Sequence, residues 1–164
     1  MKSQLFKEVS ENLQAQGFRV TGYEENRPWG GFFYIDEAQA QKFADTYFKG
    51  LDVDLLKISG KLSPKMLIVA PYTRLSWQYH HRRAEIWQVV KGKVAIITSP
   101  TDEAGPQVTL NEGEQVKIDC GTRHRLVGLD DWAIVAEIWQ HTDADHPSDE
   151  DDIVRVQDDF GRQD

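Results

Sequence analysis

The stretch Pro71 to Gly92, PYTRLSWQYHHRRAEIWQVVKG, decides how the 164-residue chain is read. It combines strand-like sequence with three side chains able to ligate a metal, Gln78, His80 and Glu85. Leu75, Trp77 and Tyr79 lead in, and Ile86, Trp87, Val89 and Val90 follow. Gln78 and His80 are two apart, so on one strand they face the same side. His81 to Ala84 is polar enough for a turn, after which Glu85 re-enters from the neighbouring strand. An amide oxygen, an imidazole nitrogen and a carboxylate then aim at one point. Divalent metals accept such N and O donors, and a catalytic metal keeps three or four protein ligands with an open position.

A fourth candidate ligand lies downstream. Gly113 to Gly128, GEQVKIDCGTRHRLVG, reads as a strand, a tight Asp-Cys-Gly turn and then His124. Together the two segments resemble the paired motifs of the cupin superfamily, a small β-barrel. The first motif is matched in spacing by Gln78-x-His80, four residues, Glu85, six residues and Gly92, with Gln in the first His position. The second is matched by Gly113, five residues, Asp119-x-Gly121, two residues and His124, with Asp in place of Pro.

The string Gln78-Tyr79-His80-His81-Arg82-Arg83-Ala84-Glu85-Ile86-Trp87 is similar to one in the C-terminal cupin domain of type II phosphomannose isomerases. Arg27-Pro28-Trp29-Gly30 before the barrel resembles the same family, as do Glu150-Asp151-Asp152-Ile153-Val154-Arg155 and Phe160-Gly161-Arg162 at the end. The likeness runs over residues 27 to 162. It implies an all-β cupin barrel, a double-stranded β-helix of jelly-roll type, with one or two peripheral helices, in a standalone form of that domain. The implied chemistry is metal-dependent aldose–ketose isomerisation of a sugar phosphate, with a metal stabilising a cis-enediolate while a base moves a proton between two carbons.

The metal ligands are then Gln78, His80, Glu85 and His124. Arg83 matches the family's catalytic arginine, Glu85 joins it in catalysis, and Arg155 and Arg162 cover the barrel mouth as substrate-binding residues. One divalent ion is expected, Zn first, with Mn, Fe, Co and Ni also compatible with these ligands. The resemblance further implies a homodimer, the commonest symmetric assembly. Two departures stand out: Ile86 replaces the family's histidine after R-A-E, and Gly128 replaces an asparagine. They motivate an alternative, a non-catalytic metal-containing cupin that binds a sugar. A metal oxygenase is a third reading, disfavoured by Gln at position 78.

Composition is consistent with one domain spanning 1–164: an N-terminal extension with helices over 1–50, a barrel core over 51–140 and a C-terminal segment over 141–164. Hydrophobic residues make up 40% and charged residues 28%, a soluble globular balance. No apolar run is long enough to span a membrane, no signal-peptide pattern opens the chain, and Cys120 is the single cysteine, so a cytoplasmic protein is expected. The net charge is −8, yet residues 143–164 hold nine acidic residues against two arginines, leaving the rest near neutral. No broad basic face is implied, which disfavours nucleic acid and anionic membranes as partners. A small phosphorylated sugar remains compatible, because a pair of arginines can hold one phosphate.

Outside the motifs, Ser3 to Gln16 reads as a helix capped by Ser3 and stopped by Gly17, closing a barrel end or extending a dimer surface. Phe18 to Tyr23 and Phe32 to Ile35 read as strands, Trp29 as a packing anchor, and Asp36 to Phe48 as a helix capped by Asp36. Strands are expected at 55–59, 65–70, 74–79, 85–90, 93–99, 107–110, 115–118, 124–127 and 132–139, with an edge strand at 152–157. Residues 150–162 are expected to be ordered on the barrel, leaving Gln163 and Asp164 free. His81, Arg123 and Arg125 face away from the metal site by strand alternation. Arg83, judged by residue type alone, could equally be a turn arginine in solvent. His141 and His146 are read as loop residues, and Cys120 as packing.

Overall fold

The computed structural model describes residues 2–52 and 61–162. The strand expected at 55–59 and the free terminus at 163–164 lie outside them. Helix α1 (Lys2–Ala15) is followed by strands β1 (Val20–Arg27) and β2 (Gly30–Ile35), a 3-10 turn (Glu37–Gln39) and helix α2 (Ala40–Tyr47). Strands β3 (Lys65–Val69), β4 (Trp77–Tyr79), β5 (Arg83–Lys91), β6 (Val94–Ser99) and β7 (Gln107–Leu110) come next. Then follow β8 (Gln115–Ile118), β9 (Arg123–Gly128), β10 (Ala133–His141) and β11 (Val154–Gln157). Among the described residues no helix is long and apolar enough to cross a membrane.

The strands form two antiparallel sheets, ordered β1-β2-β3-β10-β5-β8 and β11-β4-β9-β6-β7. Period-two alternation gives the larger sheet two faces. Phe33, Met66, Ile68, Ile86, Ala136 and Ile138 belong to one apolar cluster with Phe6, Val9 and Leu13 of α1 and Phe43 of α2. Phe32, Leu67, Val69, Val89 and Val135 face the other way and join Val94, Ile96 and Leu126 of the smaller sheet. The first cluster is therefore outside the barrel and the second inside it. The motif glycines Gly92 and Gly121 sit in turns at φ +79° and +84°, where a residue with a Cβ is strained.

Several local expectations change. Ser3 lies inside α1 rather than capping it, and the helix covers the outer sheet face instead of closing a barrel end. Asp36 does cap, accepting the Ala38 N–H at 2.9 Å, but it caps the 3-10 turn that leads into α2. Only residues 77–79 of the expected 74–79 strand pair continuously, with Arg74 reduced to a single bridge to Val127. The edge position of β11 is as expected. Cys120 is exposed, so it is not a packing residue; its thiol lies 3.1 Å from the His81 carbonyl.

Candidate metal centre

His80 follows β4, Glu85 lies on β5 and His124 on β9, so the centre joins the two sheets. One ligand atom from each of the three lies within 4.8 Å of the others, and all three side chains are buried. His80 Nε2 is 2.7 Å and His124 Nε2 3.8 Å from the same atom, Glu85 Oε1. The other ring nitrogens are committed to backbone carbonyls: His80 Nδ1 to Asp152 O at 2.6 Å and His124 Nδ1 to Thr122 O at 2.9 Å. Donation from Nδ1 leaves the Nε2 lone pair directed at the site, the arrangement found behind metal-bound imidazoles.

Burial lowers the His80 pKa against the opposing pull of Glu85, which favours the neutral, ligating form. An Nε2 lone pair 2.7 Å from a carboxylate oxygen is a contact between two electron donors. A shared cation relieves it, and in this sense the residues fit a divalent metal. Burial would raise the Glu85 pKa, but any proton on His80, a hydrogen bond with Glu137 and the charge of Arg83 outweigh it and hold the group well below the usual carboxylate range.

Glu137 was not singled out from the sequence. It pairs in register with Trp87 on one side and Lys65 on the other, which puts it on the inward face beside Glu85. Burial, and then the charge of Glu85, push its pKa well up, so Glu137 carries the proton of the pair. Trp87 Nε1 bridges the two, 3.2 Å from Glu85 Oε2 and 3.1 Å from Glu137 Oε1. The available signal was one acid at an inward position of the otherwise apolar Ala133 to Trp139 run.

Arg83 opens β5 and is 6% exposed, which removes the reading of a solvated turn arginine. Its guanidinium reaches Glu85 Oε1 at 3.2 Å, His80 Nε2 at 3.3 Å and Ser148 Oγ at 2.9 Å, and lies over Trp139. Gln78 lines the same cavity opposite His124, but its amide nitrogen donates to Ser76 Oγ at 3.0 Å. His81 is exposed beside Tyr79, as expected of a residue pointing away from the site. Arg123 pairs with Asp102, and Arg125 donates to Leu75 O and Gln157, so both also stay off the site.

Two further residues exceed what their sequence suggested. Asp152 accepts the N–H groups of His81 and Arg82 at 2.9 and 3.0 Å and the Ser148 hydroxyl at 2.6 Å. Its carbonyl is the one that holds His80, so the ordered C-terminal segment is part of the centre. His141 is the last residue of β10 and fully buried, not a loop residue. Its Nδ1 accepts the Ser148 N–H at 2.9 Å and its Nε2 lies 3.1 Å from Ser63 Oγ. The Ser148 contact assigns the proton to Nε2.

The centre lies at a cavity of about 530 Å³ whose walls include Arg27, Lys65, Arg83, Arg155 and Arg162. Arg162 is held by Asp158 at 2.8 and 2.9 Å, and Arg155 pairs in register with Gln78. Both departures from the family motif fall away from this cavity. Ile86 is on the helix-covered face, so a side chain there cannot reach the centre. A Cβ at Gly128 would sit 2.1 Å from the Ala70 carbonyl, so no asparagine fits at that position in this backbone.

Residues 39–158 match the family model described as mannose-6-phosphate isomerase C-terminal. The chain is 30% identical over 158 residues to the alginate biosynthesis protein AlgA of Pseudomonas aeruginosa, covering 95% of this chain and 27% of the relative. It is 28% identical over 158 residues to the mannose-1-phosphate guanylyltransferase ManC of Salmonella typhimurium, again covering 95% of this chain and 27% of the relative. The chain thus spans about a quarter of the length of these relatives. Among solved structures, oxalate decarboxylase from Bacillus subtilis aligns with a TM-score of 0.57 at 14% identity, over 82% of this chain and 30% of that one. The capsular polysaccharide assembling protein CapF from Staphylococcus aureus aligns at 0.53 and 16%, over 85% and 34%. These likenesses establish the cupin fold.

Proposed function

The chain belongs to the mannose-6-phosphate isomerase C-terminal family, and from that premise we propose that it is a metal-dependent aldose–ketose isomerase of a phosphorylated sugar, mannose 6-phosphate first. The observation that carries the reading is the convergence of His80 Nε2, Glu85 Oε1 and His124 Nε2 at the wall of a cavity that Glu85 and His124 line together with several cations. His80, Glu85 and His124 hold the metal, with Gln78 beside them. The bound metal would polarise the carbonyl and the adjacent hydroxyl of the open-chain sugar.

The chain's own residues supply the rest. Arg83 points its guanidinium toward the ligand set, where a fixed cation favours the negative charge that develops on the substrate oxygens. Its position is over-determined by Ser148, the Asp149 carbonyl and Trp139, so little reorganisation accompanies reaction. Arg155 and Arg162 line the mouth and bind the substrate there. Trp87 fixes the orientation of the Glu85 carboxylate through its indole N–H.

Proton NMR of mannose 6-phosphate with the protein loaded in turn with Zn, Mn or Co tests this. Fructose 6-phosphate should appear with the wild type and be absent with Glu85→Ala. Conversion by a metal-stripped Glu85→Ala, His124→Ala double variant would overturn the proposal. So would the lack of any sugar-phosphate conversion with every metal.

A further inference from the structure

The cavity holds cations in two settings. Arg83 is tied to Glu85, Lys65 to Glu150 and Arg162 to Asp158. Arg27 lines the same cavity but makes no ion pair with a carboxylate among the described residues. Its Nε is buried and has no hydrogen-bond partner there, and its guanidinium carbon lies 5.6 Å from the centre of the Phe32 ring. A buried N–H without an acceptor is costly, and a planar guanidinium is matched best by the oxygens of a carboxylate or phosphate. Arg27 is pre-positioned for such a group. The backbone on which it stands is fixed as well, because Arg27 and Gly30 pair across the β1–β2 turn.

The sheet order adds a direction. From β5 with Glu85, the cavity floor passes to β10 with Glu137, to β3 with Lys65 and to β2 with Phe32, whose ring carries both Lys65 and Arg27. Arg27 stands on β1, four strands from Glu85, but its guanidinium reaches inward over the Phe32 ring, and Lys65 stands two strands from Glu85, about 10 Å across the sheet. That is comparable to the length of an extended six-carbon sugar phosphate. Lys65 is itself buried over Trp139 and Phe32, with the Glu150 carboxylate as its partner. An anion arriving here can bind Arg27 without first displacing a carboxylate from it.

We infer that Arg27 anchors an anion subsite, with Lys65 beside it over Phe32, that takes the phosphate of the substrate while its carbonyl end lies at the metal centre. The subsite rests on the isomerase reading for its ligand, but it binds phosphate whether or not turnover occurs. Arg27 therefore acts in binding, and the guanidinium, not charge alone, sets the affinity.

Calorimetric titration of the metal-free protein with inorganic phosphate tests the subsite, alongside titration of Zn or Co in phosphate-free buffer. The wild type should bind phosphate saturably. Arg27→Met should weaken phosphate binding about tenfold or more, with Arg27→Lys in between, while metal affinity is unchanged. Glu85→Ala should do the reverse, losing metal and keeping phosphate. If Arg27→Met does not fold, the Arg27→Lys shift decides. The subsite is wrong if the wild type binds no phosphate saturably or if the variants bind it as the wild type does. It is also wrong if metal affinity falls in parallel with phosphate affinity. Phosphate binding through Arg27 without sugar isomerisation would instead leave the subsite standing and remove the proposed reaction.

Discussion

The two faces of the six-stranded sheet are made by alternate residues of the same strands, yet their chemistry is opposite. On β5, Ile86 packs with the helices while Arg83, Glu85 and Trp87 line the cavity. On β10, Ala136 and Ile138 go outward while Glu137 and Trp139 go inward. The outer face derives its stability from burying apolar area under α1 and α2. The inner face keeps charges out of water only because each is matched: Glu85 by Arg83, Glu137 by its proton, and Lys65 by Glu150. A one-residue step along a strand therefore separates residues expected to govern function from residues expected to govern folding.

The sharpest way to break this division is substitution at neighbouring positions. Glu85→Ala should abolish metal binding, read as metal content after dialysis, while circular dichroism still reports a folded barrel. Ile86→Ala should cost about 2–5 kcal/mol of stability in urea unfolding and leave metal affinity of the folded protein unchanged. A fall in metal affinity at position 86 would contradict the division. An intermediate effect is expected where the faces are linked through the C-terminal segment. Asp152→Asn weakens the hold on the His81 and Arg82 N–H groups that set the approach of His80. It should lower metal affinity about 10–100-fold with a smaller effect on stability, measured by chelator competition.

The smallest effect is a pH slope. Burial, reinforced by the charges of Lys61 and Arg83 and opposed by Asp152, pushes the His141 pKa down to about 4. Between the ordinary value of about 6.5 and about 4, the unfolded chain binds more protons at this group than the folded one. Stability from His141 is thus full above pH 6.5 and lost as pH falls toward 4. Urea midpoints across that window should slope less in His141→Gln than in the wild type.

Much of this was legible in sequence because both signals are periodic or local. Gln78, His80, Glu85 and His124 could be set on strands by their spacing, and three of those four side chains do converge. What escaped notice depends on strand pairing that spacing does not encode. Glu137 becomes a cavity residue only when β10 is laid between β3 and β5, and Lys65 only by pairing with Glu137. His141 looked like loop because the expected strand stopped at Trp139, two residues short of the buried end of β10. Ile86 differs, since alternation from Glu85 alone sends it outward and needs no knowledge of the pairing. Asp152 stood inside a recognised segment, but its clamp on a turn some 70 residues earlier is a tertiary contact with no local mark.

The most direct test of a metal centre on the inner face is X-ray absorption of the Co- or Zn-loaded protein. Two imidazoles at about 2.0–2.1 Å with oxygen in the remaining positions are expected, falling to one imidazole in His124→Ala. A sulfur shell from Cys120, or an all-oxygen shell unchanged by His124→Ala, would contradict the assignment.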